Sequence, residues 1–457
     1  MQNAVLMGAS GLFGALVCAA CTPAPRAAAP REGSGSSAPG SSGPSSSAPH
    51  GRPEASAGAA APGNVGAACA LPPLPSYAEL PANPKLTDPF QTLGGRRITQ
   101  KSEWACRRAE LGAAFEEYEL GPKPPKPTEL HAELGADELA VTVGDGRKSL
   151  SFKAKIHLPT TGAAPYPALI GLGKSSLDNA ALAELGVALI DFPNSELAEQ
   201  KSAESRGHGS FYDFYGSDHP AGAMIAWAWG VSRLIDALEA TPSAQIDPAR
   251  LGVTGCSRNG KGAVVASAFD ERIQLTIPQE SGSGGSASWR ISDAQHADWI
   301  AAGSPTVPVR QDVQTLREIT GENVWFRSSF SQFNESANKL PFDHHLLLGM
   351  LAPRALLLIE NTSMYWLGNT STFTTGVVAH HIWEALGVPE RMGISQLGSH
   401  EHCHFPEAQR PELIAFTKKF LIGGSNATNA DTRILKTDGD FKVDEQRWVD
   451  WTTPRLQ

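Results

Sequence analysis

The chain has 457 residues, of which 41% are hydrophobic and 19% are charged, and its formal net charge is −9. This length suits one large α/β domain with appendages, or two domains. The acidic balance, without a basic stripe, argues against nucleic acid as a partner, because nothing would offset the phosphate charge.

The N-terminal residues 1–21 predict a signal peptide, because an apolar run of small residues ends at Cys21. The ending Cys-Ala-Ala-Cys resembles a bacterial lipoprotein cleavage site, with Cys21 as the lipidated residue. A simple secretory signal is the alternative. Both place the mature protein outside the cytoplasm, secreted or at the cell surface, where disulfides form.

The next segment, 22–66, consists of Ala, Pro, Gly and Ser with almost no large apolar side chain. It cannot bury a core, so we expect a disordered linker. Residues 67–457 are expected to form the folded, monomeric domain. No run in the chain beyond the signal is long and apolar enough to cross a bilayer.

Strands and helices alternate along the folded domain. An antiparallel hairpin is predicted in 139–159, and apolar runs predict further strands at 166–173, 186–192, 273–277, 355–359 and 392–397. Helices are predicted at 219–239, 377–386 and 411–420, and 278–342 is expected to be a long irregular excursion. This alternation predicts a mostly parallel, three-layer α/β sheet with catalytic groups beyond the carboxyl ends of its strands.

The segment 251–263 reads Leu-Gly-Val-Thr-Gly-Cys-Ser-Arg-Asn-Gly-Lys-Gly-Ala, a strand, a tight turn and a helix of small residues. Ser257 lies at the apex, as in a nucleophile elbow, although the second glycine of Gly-x-Ser-x-Gly comes one place late, at Gly260. A phosphate loop is a weaker interpretation, because Gly262 follows Lys261 where Ser or Thr is required. An ordinary strand-to-helix turn with a capping serine remains a third interpretation at this point.

A histidine-rich turn follows the last predicted strand, where the chain order Ser–acid–His would put a general base. Metal binding is an alternative, because His400, His402 and His404 alternate with Glu401 and Cys403. No His-Glu-x-x-His motif accompanies them, so we expect no metal.

Two pairs of cysteines predict disulfides in an oxidising compartment. A link between Cys256 and Cys403 would bring the serine to the histidine turn and would make His402 the natural base. A link between Cys69 and Cys106 would restrain the unfolded chain by about 4 kcal/mol.

Two glutamates, Glu280 and Glu360, end apolar strands and could orient the histidine. The residues alone do not decide which of the two glutamates orients the histidine. The usual position of the acid in α/β-hydrolases favours Glu360.

Five segments, in order, resemble the glucuronoyl esterases, carbohydrate esterase family fifteen. They are Gly-Cys-Ser-Arg-Asn-Gly-Lys-Gly-Ala at 255–263, Ile-Pro-Gln-Glu-Ser-Gly-Ser-Gly-Gly at 277–285, Trp-Arg-Ile-Ser-Asp at 289–293, Asp-His-His at 343–345 and His-Cys-His-Phe-Pro at 402–406. The resemblance runs from Cys69 to the closing helix. It implies an α/β-hydrolase fold, no cofactor, and hydrolysis of esters that join (4-O-methyl-)glucuronic acid of glucuronoxylan to lignin alcohols.

The resemblance also implies individual roles. It gives a triad of Ser257, His402 and Glu280, with Arg258 at the oxyanion, and both disulfides are family features. Tyr365 stands where some bacterial members carry another acid, which favours Glu280. The residues implied for sugar binding are Lys261, Gln314, Glu322 and Trp366. An acetyl or feruloyl esterase with the same triad, and a non-catalytic polysaccharide-binding module, are the alternative functions.

Overall fold

A computed structural model describes residues 69–304, 312–423 and 429–457. The predicted signal peptide, Cys21, the predicted linker and the first two residues of the predicted domain lie outside the described residues. No helix in the described ranges combines the length and apolar character needed to cross a membrane.

The described part of the chain contains one ten-stranded sheet with helices on both faces. Its strands are β1 Glu129–Leu134, β2 Glu138–Gly144, β3 Ser149–His157, β4 Tyr166–Leu172, β5 Ala188–Phe192, β6 Ile246–Cys256, β7 Ile273–Gln279, β8 Ala355–Glu360, β9 Met392–Gln396 and β10 Leu435–Thr437.

Twelve α-helices are described. They are α1 Trp104–Phe115, α2 Asn179–Glu184, α3 Asn194–Leu197, α4 Ser210–Tyr215, α5 Ala223–Ala240, α6 Arg258–Ala268, α7 Trp289–Ala301, α8 Leu316–Glu322, α9 His344–Gly349, α10 Asn369–Leu386, α11 Arg410–Phe416 and α12 Glu445–Trp448.

The strand order is β1-β2-β3-β5-β4-β6-β7-β8-β9-β10. The pairs β1–β2, β2–β3 and β3–β5 are antiparallel, and the pairs from β5–β4 to β9–β10 are parallel. The mostly parallel α/β sheet predicted from the sequence is confirmed, including the hairpin, which is β2–β3. The carboxyl ends of β6 to β9 therefore meet at one edge, where functional groups of such sheets gather.

Side chains of the central strands alternate between two cores. In β8, Leu356 and Leu358 belong to the larger core, whereas Leu357 and Ile359 belong to the smaller one. Helices α5, α6 and α9 cover the larger core, and α2 and α11 cover the smaller one. A strand buried on both faces needs apolar residues at every position, which explains its unbroken run.

The segment 278–342 differs from the expected irregular excursion, because it contains α7 and α8. Both helices are capped by local side chains: Ser288 accepts from Ile291 N, and Thr315 and Glu318 form a capping box. The edge strands β1 and β10 were not predicted, and α10 begins eight residues before the predicted 377–386 helix.

Candidate active site

The turn after β6 has the backbone of a strained elbow. Ser257 has φ 59° and ψ −126°, and its N–H donates to Gln279 O at 2.9 Å. A Cβ added to Gly260 would lie 2.8 Å from Gln279 O, and one added to Gly255 would lie 2.5 Å from Asn259 O. Both glycines are therefore required by close backbone contacts, and the late second glycine serves the approach of α6 to β7.

The usual second glycine position is occupied by Asn259, whose side chain is turned away from the elbow. Its Oδ1 accepts from Asn194 Nδ2 at 3.0 Å and from Gln200 Nε2 at 3.2 Å. These contacts tie the turn to segments that follow β5. The departure from the generic motif thus has a structural reason, and the elbow geometry is retained.

A disulfide joins this turn to the histidine-rich turn after β9. Cys256 and Cys403 are bonded, with their Cα atoms 5.7 Å apart, and a ring nitrogen of His402 lies within 4.8 Å of both sulfur atoms. Because the sulfurs are bonded to each other, they offer no thiolate to a metal. The second predicted disulfide, Cys69–Cys106, is also present.

Glu280 is fully buried and lies against His402. His402 Nδ1 is 2.6 Å from Glu280 Oε2, and Cys403 N donates to Oε1 at 3.1 Å. Gln279 Nε2 adds a third donor to the carboxylate, at 3.2 Å. An Nδ1–H that donates to the carboxylate leaves Nε2 as the proton acceptor of the ring, which is the tautomer a general base needs.

Glu360 is also buried, but its carboxyl faces a different set of groups. Its Oε1 accepts from Ser286 Oγ at 2.6 Å and from Ser281 N at 3.4 Å. Burial raises the pKa of Glu360 to about 8, and the neighbouring Glu280 carboxylate adds to the rise. Of the two candidate acids, the structure therefore brings Glu280, and not Glu360, to His402.

Several residues of the site share an unusual backbone conformation. Ser257, Glu280 and Cys403 have φ values of 59°, 49° and 62°. Non-glycine residues adopt this region at a cost of order 1–3 kcal/mol each, and such residues concentrate at functional sites. Two of the three proposed triad residues, Ser257 and Glu280, are therefore strained, and Cys403 is the neighbour of the third.

Two cations of α6 lie over one indole ring. Arg258 Cζ is 5.4 Å and Lys261 Nζ is 5.7 Å from the ring centre of Trp325. Lys261 is buried, its Nζ donates to Ser281 O at 2.6 Å, and burial lowers its pKa to about 8 against the opposing charges of Glu322 and Glu360. Trp325 was not predicted as a site residue, since only the fold brings it to α6.

The remaining residues predicted to bind sugar lie together. Gln314 Nε2 donates to Glu322 Oε2 at 3.0 Å, and Gln314 N donates to Trp366 O at 3.1 Å. The Trp366 ring centre is 4.7 Å from that of His402, and the rings meet at 73°. The structure therefore places this group beside the histidine.

Two polar residues lie on the other side of Glu280, namely Asn361, which was not predicted, and His400, which was considered only as a metal ligand. Asn361 Nδ2 lies 3.4 Å from Glu280 Oε2, and His400 Nδ1 lies 3.9 Å from Glu280 Oε1. Asn361 directly follows the last residue of β8, so its position at a strand end was the available signal. His344 and His345 open α9 and are fully buried.

Comparison with known proteins identifies relatives along most of the folded domain. The family described as "Glucuronyl esterase, fungi" matches residues 141–387. A 4-O-methyl-glucuronoyl methylesterase of Hypocrea jecorina is 47% identical over 394 residues, which are 86% of this chain and 80% of the relative. The enzyme of the same name from Podospora anserina is 46% identical over 84% of this chain and 77% of its own length.

Solved structures that are similar to this chain are also glucuronoyl esterases. The glucuronoyl esterase catalytic domain from Hypocrea jecorina has a TM-score of 0.76 and 47% identity over 84% of this chain and 100% of that domain. A serine-to-alanine mutant of the Sporotrichum thermophile enzyme, in complex with methyl 4-O-methyl-β-D-glucopyranuronate, has a TM-score of 0.75 and 42% identity over 83% of this chain and 98% of its own. These relatives are fungal and give no support to the predicted bacterial lipoprotein.

Proposed function

The chain belongs to the glucuronyl esterase family and is a carboxylic ester hydrolase, and on that premise we propose that it cleaves esters of (4-O-methyl-)D-glucuronic acid. The substrates would be the esters that join glucuronoxylan to lignin alcohols. The observation that carries the proposal is the 2.6 Å contact between His402 Nδ1 and the buried Glu280 carboxylate. The disulfide beside both Ser257 and His402 adds support.

In the proposed reaction, Ser257 Oγ attacks the C6 carbonyl carbon of the uronate, and His402 Nε2 takes the hydroxyl proton. Glu280 orients the ring and stabilises the imidazolium. His402 then protonates the departing alcohol, which leaves an acyl-enzyme ester on Ser257. A water molecule, deprotonated by His402, attacks that ester and releases the free uronic acid and Ser257.

The oxyanion of the tetrahedral intermediate would be stabilised at the start of α6. The backbone N–H of Arg258 is among the first N–H groups of this helix, which have no acceptor within it. The guanidinium of Arg258 adds a positive charge. Fixed donors of this kind contribute several kcal/mol to lowering the barrier.

The sugar-binding group gives the proposal its substrate class. Lys261 Nζ donates to Ser281 O, and Gln314 and Glu322 form a bonded pair that can exchange hydrogen bonds with vicinal hydroxyls. Trp366 offers an apolar face next to His402. An acetyl ester has no uronate ring to use these contacts.

The test is hydrolysis of benzyl glucuronate, with benzyl galacturonate and p-nitrophenyl acetate as competing substrates. We expect a clear preference for the glucuronate, and we expect Ser257→Ala to lower kcat by about a thousandfold or more. Turnover by Ser257→Ala at the wild-type rate would eliminate the mechanism. Equal or better turnover of the acetate would favour the acetyl or feruloyl esterase, and binding without any hydrolysis would favour a non-catalytic module.

The chain organisation is proposed on the sequence alone. Residues 1–21 would export the protein, 22–66 would form a flexible linker, and 67–457 would form the catalytic domain. Mass spectrometry of the mature protein tests the first cleavage, because a secreted chain would lack the signal residues.

A further inference from the structure

A cavity of about 610 Å³ lies outside the proposed catalytic site. Its lining comes from residues 84–85, α7, residues 315 and 317, residues 334–338 and α12. Neither Ser257 nor His402 borders it. The two sites nevertheless share one element. Thr315 lines the cavity, and the adjacent Gln314 bonds Glu322 of the proposed sugar-binding group.

The cavity is lined by both basic and acidic side chains. They are Lys85, Arg290, Arg317, Arg447, Asp293 and Glu335. Arg290 is not available to a ligand, because its side chain is buried and pairs with Asp343 at 3.1 Å. Lys85, Arg317 and Arg447 are therefore the cations that an anionic ligand can reach.

Two of the arginines can exchange partners with a ligand. Arg317 pairs with Glu335, with side chains 63% and 71% exposed. Arg447 lies 3.4 Å from Asp298, with side chains 49% and 66% exposed. Exposed pairs of this kind contribute little to stability, so a ligand carboxylate can replace the glutamate or aspartate at small cost.

The cavity also has groups that match a sugar. Asp293 is largely buried, and among the described residues its carboxyl accepts one long hydrogen bond, from Leu316 N at 3.5 Å. Its remaining acceptor positions suit hydroxyl donors. Trp448 borders the same cavity, with the guanidinium of Arg447 at 4.9 Å over its ring. The aromatic ring can contact the face of a pyranoside, the carboxyl can accept hydrogen bonds from its hydroxyls, and the guanidinium groups can bind its carboxylate.

We propose that this cavity is a second saccharide site, which takes a segment of the polysaccharide that carries a free uronic acid. Arg317 and Arg447 hold the uronate carboxylate, and Asp293 accepts hydrogen bonds from sugar hydroxyls. The segment 314–322 borders both sites, so a polymer bound in the cavity would be held near the catalytic centre. This inference rests on the proposed function, because it assigns a role to the same polymer.

The test compares two xylo-oligosaccharides of equal length, one with a free 4-O-methylglucuronate branch and one without, by calorimetry. We expect tighter binding of the acidic one to wild-type protein. The double variant Arg317→Ala, Arg447→Ala should weaken that binding about tenfold, and Arg96→Ala is the matched control. Arg96 is 62% exposed and paired with Glu103, but it lies outside the cavity.

Activity separates this site from the catalytic one. With the double variant, kcat/KM on benzyl glucuronate should stay within about twofold of wild type, whereas KM on a polymeric glucuronoxylan ester should rise with kcat unchanged. Equal affinity of the double variant and wild type for the acidic oligosaccharide would overturn the proposal. If wild-type protein hydrolyses no glucuronate ester, the proposed function fails, and calorimetry still decides the cavity.

Discussion

Two buried carboxyls occupy neighbouring strand ends, because Glu280 N donates to Ile359 O at 2.7 Å and Glu360 follows directly. Two ionised carboxylates this close would repel each other strongly. The two carboxyls have different neighbours. Glu280 has donors from His402 and Cys403, whereas burial raises the pKa of Glu360 to about 8. Burial thus favours the neutral form of Glu360, the carboxyl that does not face the histidine.

Replacing each glutamate by glutamine tests this division. Glu360→Gln keeps the shape and a neutral polar group, so kcat on benzyl glucuronate at pH 6 should stay within about threefold of wild type. Glu280→Gln removes the counter-charge of the imidazolium and should lower kcat by about a hundredfold or more. A larger loss in Glu360→Gln than in Glu280→Gln would reverse the two roles.

The pKa of Glu360 also predicts a pH-dependent stability. The raised pKa means that the folded state holds a proton that the unfolded chain releases above pH 4.5, so this group lowers stability as the pH rises from about 4.5 to about 8. Glu360→Gln removes that loss. Urea unfolding should therefore show the variant gaining stability relative to wild type between pH 5 and pH 8, and a constant difference would contradict the assignment.

The residues of the site were unequally visible in the sequence. Ser257 and His402 could be predicted, because an elbow and a histidine-rich turn are local patterns. The choice of Glu280 over Glu360 needed the family resemblance, since both end apolar strands. Trp325 could not be predicted, because its contact with Arg258 and Lys261 joins segments that only the fold brings together.

The two disulfides join different pairs of structural elements. Cys256–Cys403 joins the end of β6 to the turn after β9 across 147 residues, and both turns carry proposed catalytic residues. Cys69–Cys106 closes 37 residues and fastens the N-terminal loop to α1. On the loop-entropy model they stabilise the fold by about 5 and about 4 kcal/mol. Their contributions to stability are thus similar, and their positions relative to the site are not.

Removing each disulfide by a pair of Cys→Ala changes separates catalysis from stability. Both double variants should lower the thermal midpoint. Only Cys256→Ala with Cys403→Ala should also lower kcat in the fraction that remains folded, by about tenfold or more, because the serine and the histidine lose their fixed separation. An equal effect of both double variants on kcat would assign the first disulfide to stability alone.

The strands of the central sheet were predictable and its periphery was not. β4 and β8 are apolar runs buried on both faces, and this pattern is present in the sequence itself. β1 and β10 lie at the sheet edges, and β10 has three residues, so each has weak alternation. α7 was missed because all four of its buried residues, at 289–292, lie in its first turn, and the remainder of the helix is half-buried or exposed.

Helix α9 connects distant parts of the larger core through two buried histidines. His344 Nε2 lies 3.0 Å from Glu119 Oε1, and its Nδ1 lies 2.7 Å from Gly285 O. His345 Nε2 lies 2.8 Å from Thr87 O. These partners are far apart in the chain, so protonation of the histidines is linked to global unfolding.

The two neighbours have opposite pKa shifts. Although burial alone lowers it, the pKa of His344 is raised by the Glu119 carboxylate and its hydrogen bond. Burial lowers the pKa of His345 to about 4, although the Asp343 carboxylate opposes this shift. By linkage, the His344 contribution to stability is present below about pH 6.5 and is lost as the pH rises through its folded pKa. The penalty from His345 grows as the pH falls from about 6.5 to about 4.

Glutamine substitutions at these positions should therefore give opposite pH trends in the free energy of unfolding. His344→Gln should destabilise the protein more at pH 5 than at pH 8, because it removes a charged partner of Glu119. His345→Gln should destabilise it less at pH 5 than at pH 8, because it removes a group that resists protonation. Urea unfolding at the two pH values measures both, and each variant serves as the other's control for the loss of a buried ring. The same trend in both variants would contradict the assignment, since only opposite shifts of neighbouring histidines in one helix predict differences of opposite sign.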